Sequence, residues 1–210
     1  MSVTRVLTAL TLSAMLAACG SDPGQNSILA PLTQSASGIL GRTPTAGPTA
    51  EQIRSRITPE VRASFGNVPL KIATLEERNL ASVLIERARN RDQITYFTPD
   101  GISMTYKSGV LVGTRGLGFD LMDADVDQVL SSLRTRADGA VRIHRYLDGE
   151  EQVMLRSFIC DYTGAGTVTE TCYSDGFQIT NTYRMSVGRI TSSRQWISPE
   201  QGYIRLEPSQ

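Results

Sequence analysis

Histidine, lysine and long apolar runs are scarce in this 210-residue chain, and each scarcity closes off a class of function. His144 is the single histidine, so no His-rich metal centre can be assembled. With no G-x-S-x-G either, a nucleophilic triad has nothing to be built from. The only lysines are Lys71 and Lys107, so the basic side of the chain is arginine. That reads as composition first, with planar contacts to anions or sugars second. Basic and acidic residues balance at 21 each, which gives no electrostatic ground for binding nucleic acid or an anionic membrane surface. No apolar stretch approaches the roughly 20 residues of a membrane-spanning helix.

The N-terminus carries a processing signal. Arg5 is a short basic lead, Val6 to Leu16 is mostly apolar, and Leu16-Ala17-Ala18-Cys19 places small residues before a cysteine. This is a bacterial lipobox, which predicts removal of residues 1–18 and acylation of Cys19. An ordinary secretory signal with a chance cysteine, or a buried apolar strand, is the competing reading. Gly20 stands where an aspartate would favour the inner membrane, so the expected address is the outer membrane, facing the periplasm, with Cys19 as the lipid anchor. Two or three acyl chains hold stably where one does not.

Of the three cysteines, Cys160 and Cys172 remain after lipidation, an even count in an oxidising compartment. They are predicted to pair, adding about 3 kcal/mol by the chain-entropy relation. Two free thiols or a metal pair are the other possibilities.

Residues 19–48 have tether composition, rich in Gly, Ser, Pro, Thr, Gln and Ala, and 49–210 form one domain. Thr49 with Gln52 is a capping-box pattern, and Pro59 after Thr58 restarts or kinks the helix, giving one kinked or two short helices. From Leu70 the chain reads as about ten strands punctuated by turn residues. Pro99-Asp100-Gly101, Ser108-Gly109, Asp148-Gly149, Asp175-Gly176 and Gly188 are the turns. One helix is expected at about 124–133. The expected fold is mainly β: an antiparallel meander forming a curved sheet, an open barrel or a sandwich, with that helix packed on it.

Gly109–Leu133 invites two chemical readings, and both fail on composition. Asp123-x-Asp125-x-Asp127 imitates the start of a calcium loop, but Gln128 and Arg134 occupy the positions that need Gly and Glu. Gly113, Gly116 and Gly118 are spaced G-x-x-G-x-G with no P-loop lysine following. Asp120, Asp123, Asp125 and Asp127 are therefore expected to form an acidic start that caps the helix, and the glycines to form a corner. Glu150, Glu151, Asp161 and Glu170 near strand ends are read as solvated turn charges rather than a glycosidase pair. His144 is placed outward, opposite Val141 and Ile143. Tyr96, Phe97, Tyr106, Phe119, Tyr183 and Trp196 are read as packing residues, with saccharide or lipid binding an option if several line one open face. No catalytic residue, cofactor or metal site is expected; exposed Arg115 and Phe119 beside the corner are the candidate binding residues.

Three stretches together resemble the YjbF/GfcB-type lipoproteins of exopolysaccharide and group 4 capsule operons. They are the lipobox at Cys19, the core Tyr106–Leu121 (YKSGVLVGTRGLGFDL) and the closing Gly188–Ile197 (GRITSSRQWI). The resemblance covers the chain from about residue 60 onward. It implies a β-rich periplasmic lipoprotein working beside polysaccharide machinery, with no enzymatic activity. The expected partners are the membrane through Cys19, and polysaccharide export proteins or the glycan. A carrier of lipid or lipoprotein with an acyl-binding sheet is the first alternative, and a periplasmic glycan-acting enzyme the second.

Overall fold

A computed structural model describes residues 47–147 and 152–209. Cys19, the signal segment, most of the tether, the Asp148-Gly149 turn, Glu150 and Glu151 lie outside the described residues. The chain enters through two short helices, α1 (Ala50–Arg56) and α2 (Pro59–Ser64). The capping box at α1 is reciprocal: the Gln52 N–H donates to Thr49 Oγ1 at 3.2 Å, and the Thr49 N–H donates to Gln52 Oε1 at 2.9 Å. Pro59 opens α2 directly after its cap, Thr58.

Five strands follow: β1 (Leu70–Leu75), β2 (Leu80–Asn90), β3 (Gln93–Phe97), β4 (Ser103–Lys107) and β5 (Val110–Arg115). Then come β6 (Asp120–Asp125), α3 (Asp127–Thr135), β7 (Ala140–Leu147), β8 (Val153–Thr163), β9 (Thr167–Ser174), β10 (Phe177–Ser186), β11 (Arg189–Ser198) and β12 (Gly202–Pro208). All twelve join one antiparallel sheet in the order β5-β4-β3-β2-β1-β12-β11-β10-β9-β8-β7-β6. Strands consecutive in the chain are hydrogen-bonded neighbours except β5 and β6, and β1 pairs with β12 from Lys71↔Pro208 to Leu75↔Ile204. The sheet therefore curls into a nearly closed barrel. Its one unladdered seam lies between β5 and β6, which the glycine corner connects.

The alternation of side chains sorts two apolar clusters. One fills the barrel interior and includes Leu84, Tyr96, Tyr106, Leu111, Phe158, Tyr183, Ile197 and Leu206. The other, Ile53 with Leu70, Ile72, Ala81, Val83 and Ile85, lies where α1 covers the outer face of β1 and β2. Strands β1 and β2 thus bury both faces, one inside the barrel and one under α1, while β7, β8 and β10 alternate buried and more exposed positions as a half-covered antiparallel sheet does. The stripe Val129 and Leu133 of α3 joins the interior cluster.

Two strands depart from the sequence reading. Asp120–Asp125 was expected as an acidic lead into the helix; it is β6, and α3 starts only at Asp127. Aspartate is a poor strand former, but pairing with β7 overrides that preference, and Asp123 opposite Arg145 forms a cross-strand ion pair. Thr167–Ser174 is β9, whose inward file Val168, Glu170, Cys172 is broken by a charge. The orientation of β7 is also the reverse of that expected. Arg142 and His144 point inward and are fully buried, while Val141 and Ile143 lie on the outer face. Hydrophobicity alone chose the wrong side, because Arg142 finds polar partners on β9 and β10 and His144 finds one in Tyr146 of β7 itself. The outer face of β8 is correspondingly apolar, with Val153, Leu155 and Ile159 at 67, 61 and 60% exposure.

Candidate functional site

The seam is closed by side chains in place of a ladder. Thr114 Oγ1 donates to Asp120 Oδ1 at 2.7 Å and accepts from the Leu121 N–H at 3.0 Å. The buried Asp120 carboxylate also takes the N–H groups of Gly116 (2.9 Å) and Leu117 (3.3 Å), so it caps the glycine corner and not the helix. The other aspartates serve elsewhere. Asp123 pairs with Arg145, Asp125 accepts from the Asp127 N–H, and Asp127 pairs with Lys107 across the far end of the seam. Helix α3 has no side-chain bond at its N-cap, Val126, although Asp127 sits in its first turn.

Arg115 spans the same gap. Its guanidinium donates to the carbonyls of Thr114 and Leu121 at 2.6 and 3.2 Å, and of Met122 at 3.0 Å. Phe119 packs on Tyr146 with ring centroids 5.7 Å apart. The structure thus places both sequence-chosen binding residues at the seam, each engaged in holding it. Opposite them, fully buried Gln195 of β11 reaches across the interior. Its Oε1 accepts from the Leu111 N–H at 2.8 Å, and its Nε2 donates to the Gly109 carbonyl at 2.9 Å and to Ser193 Oγ at 2.8 Å. Ser198 Oγ donates to the Phe119 carbonyl and Gln201 Nε2 to that of Leu117. Gly109 itself has φ +91°, and a Cβ there would lie 2.8 Å from Ile190 Cβ. Only glycine fits such a position. The core and closing stretches, about 80 residues apart, are therefore one piece of structure.

Deeper inside lies a polar network that sequence reasoning missed. Glu170 is fully buried and accepts from Tyr162 Oη (2.8 Å), Asn181 Nδ2 (2.7 Å) and Tyr183 Oη (2.8 Å). Arg142 faces it, with Nε 3.6 Å from Glu170 Oε1, and donates to Tyr183 Oη at 3.3 Å. Burial is the largest influence on Arg142 and opposes its charge, but Glu170 and the surrounding tyrosines outweigh it and keep the guanidinium protonated. Burial, then Glu170, raises the Tyr162 hydroxyl; burial also raises that of Tyr183, so both phenols stay protonated and donate. His144 Nδ1 lies 2.8 Å from Tyr146 Oη. Burial, and next Arg142, hold His144 neutral by pushing its pKa well below 6.5.

Cys160 and Cys172 face each other across β8 and β9, with Cα atoms 3.9 Å apart and the sulfurs bonded. With Glu170 they are the one grouping of three metal-ligand types among the described residues. Bonded to each other, the sulfurs offer no thiolate, and the Glu170 oxygens are taken by three donors. Asp161 is exposed on the outer face of β8 while Glu170 points inward from β9, so these two carboxylates cannot flank a common bond.

Outside the barrel, two adjoining hollows of about 310 and 240 Å³ share Arg205 and Glu207. Thr74, Glu76 and Asn79 line the first; Thr182, Arg184, Ser192 and Arg194 line the second. Glu76 accepts from Arg194 Nε and Arg205 Nη2, each at 2.7 Å, and the Arg194 guanidinium stacks 3.5 Å above the Tyr203 ring.

Residues 60–208 match the sequence profile of the group 4 capsule polysaccharide lipoprotein family, GfcB/YjbF. The chain belongs to this family. The match takes in the whole barrel, including the core and closing stretches that meet at the seam. Family membership makes this a capsule- or exopolysaccharide-associated lipoprotein of the Gram-negative envelope. Among solved structures, the hypothetical lipoprotein YmcC from Escherichia coli K12 is similar in fold, with a TM-score of 0.58 at 15% identity over 77% of this chain and 88% of that chain. No curated protein sequence matches the chain.

Proposed function

We propose that this chain is a non-enzymatic accessory lipoprotein in the assembly or secretion of an exopolysaccharide or capsule. It is held at the outer membrane, facing the periplasm, through acylated Cys19, and acts by binding export proteins or the glycan itself. The family match across the barrel carries this reading. Its non-enzymatic part is supported by how the interior groups are spent. Glu170, Arg142 and His144 are fully buried, the Glu170 oxygens accept from three donors, and Asp161 lies on the opposite face of the sheet.

The carrier alternative needs a hollow interior for acyl chains. Here Tyr106, Tyr146, Tyr183, Phe158 and Arg142, all fully buried, occupy the inside, which favours action at the outer surface. Deleting the gene tests the proposal. Surface polysaccharide should fall and return with the wild-type gene, whereas unchanged polysaccharide in the deletion strain would overturn it.

A further inference from the structure

We infer that the outer face running from β9 across β10, β11, β12 and β1 to β2 is a binding trough for an anionic polysaccharide, one bearing carboxylates such as uronic acids. This inference rests on the functional reading above and specifies its site.

Arg205 and Glu207 line both hollows, so the two form one row along the outer face. It crosses six strands, which at about 4.8 Å per strand is roughly 24 Å, a length suited to an extended polymer and not to a single small molecule. Apart from Ala50 and Ala81 in the first hollow, its lining side chains are hydroxyl, amide or charged, with Thr182, Ser192 and Asn79 able both to donate to and accept from sugar hydroxyls.

Charge selects the class of glycan. Arg184, Arg194 and Arg205 stand against Glu76 and Glu207, three minus two giving +1 on the lining. Arg54 faces Glu207 at 3.6 Å and raises the local excess to +2 on a chain whose formal charge is zero. The arginines are also preorganised. Glu76 clamps two of them, and the Tyr203 ring fixes the plane of Arg194. A planar guanidinium held in one orientation recognises a carboxylate bidentately at little further entropic cost. Arg184, exposed beside Thr182, makes no side-chain hydrogen bond or ion pair among the described residues. It is therefore available to a ligand.

The test uses the full mature lipoprotein in detergent, with polygalacturonate as the anionic probe and dextran as the neutral one, read by calorimetry. Polygalacturonate should bind and dextran should not, and raising salt from about 0.05 to about 0.5 M should weaken binding about tenfold or more. Arg184→Glu should weaken it about tenfold and Arg205→Ala about fivefold, while Arg134→Glu on α3 should leave it unchanged. Arg184 is exposed and unpaired, so its substitution should leave the fold intact, and circular dichroism checks this. Failure of polygalacturonate to bind, equal binding of dextran, or equal loss with Arg134→Glu would overturn the trough. If gene deletion lowers surface polysaccharide yet polygalacturonate does not bind, the trough alone falls. If deletion changes nothing while binding persists, the accessory role falls and the site stands.

Discussion

At Glu170 the barrel buries a full negative charge and answers it with three donors and one guanidinium. Removing one partner of such a pair leaves the other uncompensated. Glu170→Gln should therefore lower stability by about 3–5 kcal/mol in denaturant unfolding. Adding Arg142→Met removes the stranded charge, while the Gln oxygen can accept from Tyr183 and Asn181 and its amide can donate to the Tyr162 hydroxyl, so the double variant should recover most of that loss. Equal stability of the single variant and wild type would contradict the network's structural role. His144 gives a pH dependence with a definite sign. The folded state keeps it neutral below its usual 6.5, whereas the unfolded chain takes up a proton there. Below about pH 6.5 the unfolded state binds more protons, and stability should fall by up to about 1.4 kcal/mol per pH unit. His144→Asn should lose that part of the slope between about pH 7 and 5; an unchanged slope would contradict the assignment. None of this network was legible in the sequence. Glu170 and Arg142 find each other only through strand registers set by β8 and β10, and each looks like a surface charge along its own strand. The cysteines were legible, because count and compartment constrain them without knowledge of register.

The seam is the element that decides whether the sheet can curl. Two edge strands without a shared ladder would leave backbone groups unpaired, and Gln195, Thr114, Arg115 and Asp120 take up those groups. Gln195→Leu keeps most of the volume but strands the Leu111 N–H and the Gly109 carbonyl. A loss of about 2–4 kcal/mol is expected from the urea midpoint, and no loss would show that the contact is dispensable. The β4–β5 hairpin and the start of β10 were readable because Ser-Gly and Asp-Gly turns precede β5 and β10. The strands β6 and β9 were not, since aspartates in one and an inward glutamate in the other hide the apolar alternation. The corner itself was recognised as structural, but its cap, Asp120, was assigned to the helix.

Across the whole molecule, closure through β1 and β12 joins segments about 130 residues apart, and no local pattern announces such a pairing. A mainly β meander was readable; the near-closed barrel depended on this long-range contact. With the interior filled by its own tyrosines and its own ion pair, the outer surface is what remains for binding. The most direct measurement replaces the gene with the Glu170→Gln, Arg142→Met double variant and quantifies surface polysaccharide, with immunoblotting to confirm normal abundance. Wild-type polysaccharide is the result expected of a structural acid inside a non-catalytic barrel. Loss of polysaccharide at normal abundance would contradict it and make Glu170 a chemical participant.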